Sequence, residues 1–284
     1  MDPLLANLLD LLRALDARGI PLTVGGGLGL YLKRSHLERT GERTLFAELP
    51  GVRATNDIDV FLRAEVLADF ARTKEVADAI TRLGYSAVEE AKYLQWKRPV
   101  TVGGVEQEVK IDVLVGPLGN YRSGLKVSEP RVRPHGNIKF HAHTVEEAIH
   151  LEDRPIAVPV DGRTSDGSSY SGTVFVPEAF PYLMMKLHAF ADRKDDANKN
   201  LGRHHALDVY TVVGMMTEGE YERARAFGAT DRDDKHVRRA REIVTSAFSG
   251  PTAAGLLRMR EHALFRPELA ITELVSVLNE VFRA

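Results

Sequence analysis

Apolar residues recur at helical spacing through residues 3–18, and Gly19 and Pro21 close the run, so the chain is predicted to open with an amphipathic helix. A short apolar run, Leu22 to Val24, stops at Gly25-Gly26-Gly27, and a second helix is predicted to begin within these glycines and carry Leu28, Leu30, Tyr31 and Leu32. Residues 40–56 show no periodicity and read as an insertion. Asp57-Ile-Asp-Val-Phe-Leu62 alternates with period two, the mark of a half-buried strand. Residues 65–82 read as one amphipathic helix closed by Gly84. Strand-like pieces follow around 85–98, then a Gly103-Gly104 turn and a strand from Glu108 to Val115. Ile156–Val160 and Thr173–Val176 flank a stretch rich in turn residues, predicted as a long hairpin loop over 161–172, a surface loop rather than a lid. Strand signals end near 177; residues 178–192, 203–217, 232–248 and 268–283 carry helical periodicity. The expected fold class is α/β (α+β): a mixed sheet with flanking helices over 1–176, followed by a helical C-terminal domain over 177–284.

Composition narrows the functional classes. Hydrophobic residues make up 44% of the chain and charged ones 27%, values that exclude a wholly disordered protein. Lys and Arg total 38 against 40 Asp and Glu, a formal charge of -2 that excludes a strongly basic nucleic-acid coat. There are no cysteines, which removes disulfides and thiolate zinc sites. The opening helix lacks the basic start and cleavage site of a signal peptide, and no apolar run is long enough to span a bilayer, so a cytoplasmic location is expected.

Three features carry chemistry. Asp57 and Asp59, two apart on a strand, share a face, and two neighbouring carboxylates repel unless a cation lies between them. Mg²⁺ suits such a pair, because it takes one or two carboxylates together with substrate phosphates; water-facing aspartates are the plain alternative. Asp112 stands in Lys110-Ile-Asp-Val-Leu-Val115, where Asp is disfavoured in a strand. If that strand neighbours the first, Asp112 joins the cluster. Gly25, Gly26 and Gly27 join a strand to a helix, a place where backbone N–H groups can receive a triphosphate. The run is neither a P-loop nor a GxGxxG fingerprint. Alone it reads equally as a tight turn.

In this order, glycine turn, helix, Asp-x-Asp strand and later strand Asp, the chain resembles the polymerase-β-like nucleotidyltransferase superfamily. Its segments VGGGLGL, RATNDIDVFL, VKIDVLVG, VPEAFPYLMMKLHAFADR and HALDVY look like the AbiEii-type nucleotidyltransferase toxins, over about residues 20–215. The resemblance implies that Asp57, Asp59 and Asp112 hold Mg²⁺, or Mn²⁺ in its place, and that Asp112 also lies near the acceptor hydroxyl. It implies that the glycines line the triphosphate and that Lys186 and Arg193 contact nucleotide phosphates. Asp208 matches an acidic residue of the following helix. The reaction implied moves a nucleoside monophosphate from an NTP to an acceptor, RNA such as the tRNA 3′ end, with a cognate antitoxin as partner. A small-molecule nucleotidyltransferase acting on an aminoglycoside-like acceptor is the alternative, and a non-catalytic nucleotide-binding module a third reading. His204 and His205 stand where the family often has Lys-Asp.

Physically, Lys186 in a mostly apolar helix needs a partner, and Asp208 on another helix could supply it. Arg122, Lys126, Arg131, Arg133, His135 and Lys139 could guide an RNA backbone, whereas His135, His141 and His143 read as a solvated loop rather than a metal site. Arg232 to Arg241 is read as a solvated helix face preceded by acids that complement the helix dipole. Lys194 to Lys199 reads as a charged connector.

Overall fold

The computed structural model describes residues 3–91 and 93–283. Two units pack separately: residues 1–32, 54–146 and 151–177 form the first, and residues 33–53, 147–150 and 178–284 the second.

The first unit is built on a ten-stranded mixed sheet. Its strands are β1 (Thr23–Val24), β2 (Asp57–Leu62), β3 (Ser86–Ala87), β4 (Gln95–Val102), β5 (Val105–Val115), β6 (Lys126–Ser128), β7 (Arg131–Arg133), β8 (Ala142–Thr144), β9 (Ile156–Arg163) and β10 (Ser169–Val176). The spatial order is β6-β7-β8-β5-β2-β1-β10-β9, with β4 on β5 and β3 on β4. β2 and β5 run parallel in the register Asp57–Lys110, Asp59–Asp112 and Phe61–Leu114. Helix α1 (Pro3–Asp16) buries Leu8, Leu9, Leu11, Leu12 and Leu15, the stripe its spacing predicts, against β9 and β10.

Several elements differ from the sequence reading. Helix 65–82 is two helices, α3 (Ala64–Ala68) and α4 (Phe70–Arg82), because Asp69 leaves helical geometry and its carboxylate accepts the N–H groups of Ala71 and Arg72 as the N-cap of α4. The loop expected over 161–172 is mostly strand. Asp161 pairs with Ser171 and Arg163 with Ser169, leaving a turn in which Asp166 accepts bonds from the Thr164 hydroxyl and the Ser168 N–H. The strands β6 and β7 were not legible, since three residues each give no period to read.

The second unit contains the later part of α2 (Gly26–Thr40) and the helices α5 (Ala179–Arg193), α6 (Lys199–Gly214), α7 (Glu218–Thr230), α8 (Lys235–Ala247), α9 (Ala254–Arg260) and α10 (Ile271–Val281). α5 and α6 form its central pair, and α5 buries Phe180, Tyr182, Leu183, Met184, Leu187 and Phe190. Residues 40–56, read as an insertion, fall largely here. Leu45 donates to the Met216 carbonyl at 2.8 Å, and Phe46 packs on Tyr210 with ring centroids 5.0 Å apart. Buried Lys33 donates to both carboxylate oxygens of Glu220 at 2.6 and 2.8 Å, and Glu220 also accepts the N–H groups of Thr217 and Ala179. Thr217 and Glu220 complete a capping box on α7, a helix that the sequence reading omitted. Acids do cap the basic run: Asp234 accepts from His236 and Val237 at the start of α8. Among the described residues no helix is long and apolar enough to cross a membrane.

Candidate functional site

The alternation of β2 buries Ile58 and Val60 and leaves Asp57 and Asp59 half-buried on the other face. The same alternation on β5 buries Val109, Ile111 and Val113 and leaves Lys110, Asp112 and Leu114 on that face. Because Asp59 and Asp112 are register partners, the two strands bring the three aspartates together as neighbours on one side of the sheet. Gln95, at the start of β4, is the register partner of Asp112 on its other side, and its Nε2 donates to Asp112 Oδ1 at 2.8 Å.

The glycine turn meets the same place from the β1 side. Gly25 N–H donates to the Asp59 carbonyl at 2.8 Å, and Gly29 N–H bonds back to the Gly25 carbonyl at 2.7 Å. Gly26 opens α2 with φ +58°, and a Cβ there would stand 1.6 Å from Asp59 Oδ2. The carboxylate therefore lies against the Gly26 Cα, where only glycine fits. Gly25 is required by packing, since its Cβ would stand 2.5 Å from the Phe61 ring. Gly27, buried in the first turn of α2, has no helical carbonyl four residues behind it, so its N–H belongs to the positive end of the helix.

Burial, then the charge of Asp59, raises the Asp112 carboxyl to about 6, with Asp57 adding to the effect; the Gln95 hydrogen bond and Lys110 oppose it. Like charges thus face one another across β2 and β5. Among the described residues, however, no three His, Asp or Glu side chains form a ready cation cage, so the aspartates are an open row rather than a closed ligand set. Such a row still fits Mg²⁺, which keeps water and phosphate ligands and needs only one or two carboxylates from the protein.

One prediction follows from the raised carboxyl. Between its ordinary value near 3.8 and about 6, folded Asp112 holds a proton that the unfolded chain has released. Stability therefore falls as pH rises through that window, and above it the ionised group destabilises the metal-free fold. Asp112→Asn, whose amide oxygen still accepts from Gln95, should stabilise the protein by about 1–2 kcal/mol at neutral pH. Below pH 3.8 it should change nothing. Thermal melts in chelator at the two pH values check this, and a lower melting temperature at neutral pH contradicts it.

A cavity of about 260 Å³ opens beside Asp112, lined by Asp59, Ala91, Leu94, Gln95, Val113, Leu114 and His143. Sequence reading passed over Gln95 entirely and assigned His143 to a solvated loop. Neither role is visible without the register that sets Gln95 beside Asp112 and His143 beside Leu114. His141 instead packs edge-on to Tyr93 at 5.5 Å, and His135 edge-on to Phe70 at 5.2 Å.

The remaining sequence candidates belong to the second unit. Lys186 and Asp208 are both buried, and Lys186 Nζ meets Asp208 Oδ2 at 2.7 Å; Arg53 Nε reaches Asp208 Oδ1 at 3.3 Å. Burial alone would push the Asp208 carboxyl up, but Lys186 and Arg53 outweigh it and hold the carboxyl below its usual range. Burial, then Lys186, drives His205 down to about 3, so it stays neutral, and among the described residues its buried Nδ1 has no partner. His204 Nδ1 and His262 Nε2 share a hydrogen bond at 2.9 Å. Arg193 is exposed at the end of α5, 3.6 Å from Asp196. Asp208→Ala, which strands the buried Lys186 charge, should cost about 3–5 kcal/mol in chemical denaturation. A loss below about 1 kcal/mol would show that Lys186 finds another partner or reaches water.

No family model and no curated protein matches the chain. Among solved structures, the chain is similar to the antibiotic-resistance factor ANT(2″)-Ia, at 13% identity and a TM-score of 0.37, over 81% of this chain and 95% of that one. A likeness of that extent carries no argument for fold or activity.

Proposed function

We propose that the chain is a metal-dependent nucleotidyltransferase that moves a nucleoside monophosphate from an NTP to an acceptor hydroxyl. The observation that carries this reading is the juxtaposition of Gly26, Asp59 and Asp112: a glycine turn at a helix N-terminus pressed against one carboxylate of a like-charged row. A like-charged row of that kind suits a cation, and the adjoining helix end suits a phosphate. Asp57 and Asp59, with Asp112, would hold Mg²⁺, or Mn²⁺ in its place. When bound, the ion supplies charge neutralisation for the triphosphate and the departing pyrophosphate.

The chain's own residues supply the rest. The backbone of Gly25 to Gly27 receives the triphosphate, and the α2 N-terminus favours its negative charge. Asp112 takes the proton of the acceptor hydroxyl as the oxygen forms its bond to the α-phosphorus. The bond from that phosphorus to the bridging oxygen breaks, and pyrophosphate leaves. In the second unit, the family resemblance implies Lys186 and Arg193 on nucleotide phosphates and matches Asp208, the ion-pair partner of Lys186, to the acidic residue of the following helix.

On the acceptor side, nothing in the comparisons supports an AbiEii-type toxin, a tRNA substrate or an antitoxin. One structural observation also weakens the RNA track: Arg122 pairs with both Glu129 and Glu146, so part of the basic stretch is neutralised within the protein. The test is transfer of label from each α-labelled NTP, with Mg²⁺, to total tRNA and separately to aminoglycosides. Label on either acceptor, lost in Asp57→Asn, supports the reading and names the acceptor class. A protein that binds no NTP overturns it.

A further inference from the structure

Across the sheet the site runs in a fixed order: the Gly25–Gly26 turn, Asp59, Asp112, then Gln95. If the triphosphate lies at the glycine end, the acceptor must approach from the other. The 260 Å³ cavity is at that other end, bounded by the start of β4, by β5 and by β8. We propose that this cavity takes a single hydroxyl-bearing sugar ring, the reacting end of the acceptor, and that Gln95 positions both Asp112 and the incoming hydroxyl. The assignment rests on the nucleotidyl-transfer reading above.

Three observations carry it. The first is size: at about 260 Å³ the cavity falls short of the range typical for drug-sized ligands. One ring fits, and a multi-ring molecule must leave the remainder outside. The second is the lining. Asp59, Asp112, Gln95 and His143 offer hydrogen-bonding groups, while Ala91, Leu94 and Leu114 offer the apolar surface on which the C–H face of a sugar packs. The third is the Gln95 amide. Its Nε2 is committed to Asp112 at 2.8 Å, and among the described residues its Oε1 receives no bond from the protein. An amide held in this way can accept a hydroxyl proton donor at Oε1 while its other end fixes the carboxylate that the hydroxyl must meet.

Ribose at an RNA 3′ end and the amino sugar of a small molecule share this chemistry, and two probes separate them. Methyl β-D-ribofuranoside and methyl α-D-glucopyranoside would each be titrated at millimolar concentration into the isotope-labelled full chain with Mg²⁺ and ATP. The readouts are the Gln95 side-chain amide, the His143 imidazole and the Gly26 backbone amide. Expected are saturable shifts at Gln95 and His143 from at least one glycoside, the responding probe identifying the sugar class. Gln95→Leu should weaken that response about tenfold, with the ATP-induced shift at Gly26 unchanged. In a transfer assay with a sugar-bearing acceptor, the same variant should raise the acceptor KM and leave the NTP KM alone. Shifts at Gly26 with none at Gln95 or His143 from either glycoside overturn the acceptor assignment alone. No shift at Gly26 on adding Mg²⁺ and ATP overturns the nucleotidyl-transfer reading and this assignment with it. If Gln95→Leu loses the fold, visible in its amide spectrum, Gln95→Asn serves: its shorter amide should lose the glycoside response and keep the Gly26 shift.

Discussion

Asp59→Asn is expected to lower nucleotidyl transfer about 10³-fold or more, because it removes the charge that stands between the glycine turn and Asp112. Asn is nearly the same size and keeps an oxygen against Gly26, so the fold should survive. The Gly25 bond goes to the Asp59 backbone carbonyl and is untouched by the change. Loss of one carboxylate charge should also let the Asp112 carboxyl fall from about 6 toward its ordinary value, since Asp59 is the largest charge raising it after burial. Single-turnover transfer and an NMR titration of Asp112 in metal-free protein check the two halves separately. Transfer within tenfold of the unmodified protein would remove Asp59 from the reaction.

Gly26→Ala should be nearly as damaging, for a different reason. A methyl group 1.6 Å from Asp59 Oδ2 cannot be accommodated without moving the carboxylate or the turn, and φ +58° is strained for any L side chain. Displacing a reacting group by about 1 Å costs on the order of 100-fold in rate, and the strain adds about 1–2 kcal/mol of instability. Gly19→Ala separates the two effects. Gly19 has φ +62° but nothing within 4 Å of its Cβ, so that variant should lose stability alone and transfer normally. Equal losses of transfer in both variants would mean that backbone strain, rather than the approach to Asp59, is what matters at Gly26.

The site shows which parts of a structure a single sequence discloses. Asp57, Asp59 and Asp112 were legible because period-two alternation assigns a face to each side chain within its own strand. That β2 and β5 are parallel neighbours in a register joining Asp59 to Asp112 is a long-range pairing, and no local pattern encodes it. Gln95 was missed for the same reason: it is an ordinary polar residue until β4 pairs with β5. The division of 65–82 at Asp69 was readable in principle, since Asp followed by a helical run is an N-cap signal, but the apolar period continues across it. In the second unit, the buried partner that Lys186 needed is Asp208, as their placement on apolar helices suggested. The buried pair of Lys33 and Glu220 gave no such hint, because the two are far apart in sequence and Glu220 lies in a helix that the sequence reading omitted.

The central claim is that a divalent cation and an NTP bind together between the glycine turn and the aspartate row. Mn²⁺ tests it directly, because a bound paramagnetic ion broadens the resonances of nearby nuclei whether or not an acceptor is known. Titrated with ATP into the labelled protein, Mn²⁺ should broaden the backbone amides of Gly26, Gly27, Asp59 and Asp112, and Asp57→Asn together with Asp59→Asn should abolish the effect. Broadening elsewhere with these four amides unaffected, or broadening here that persists in the double variant, would contradict the account.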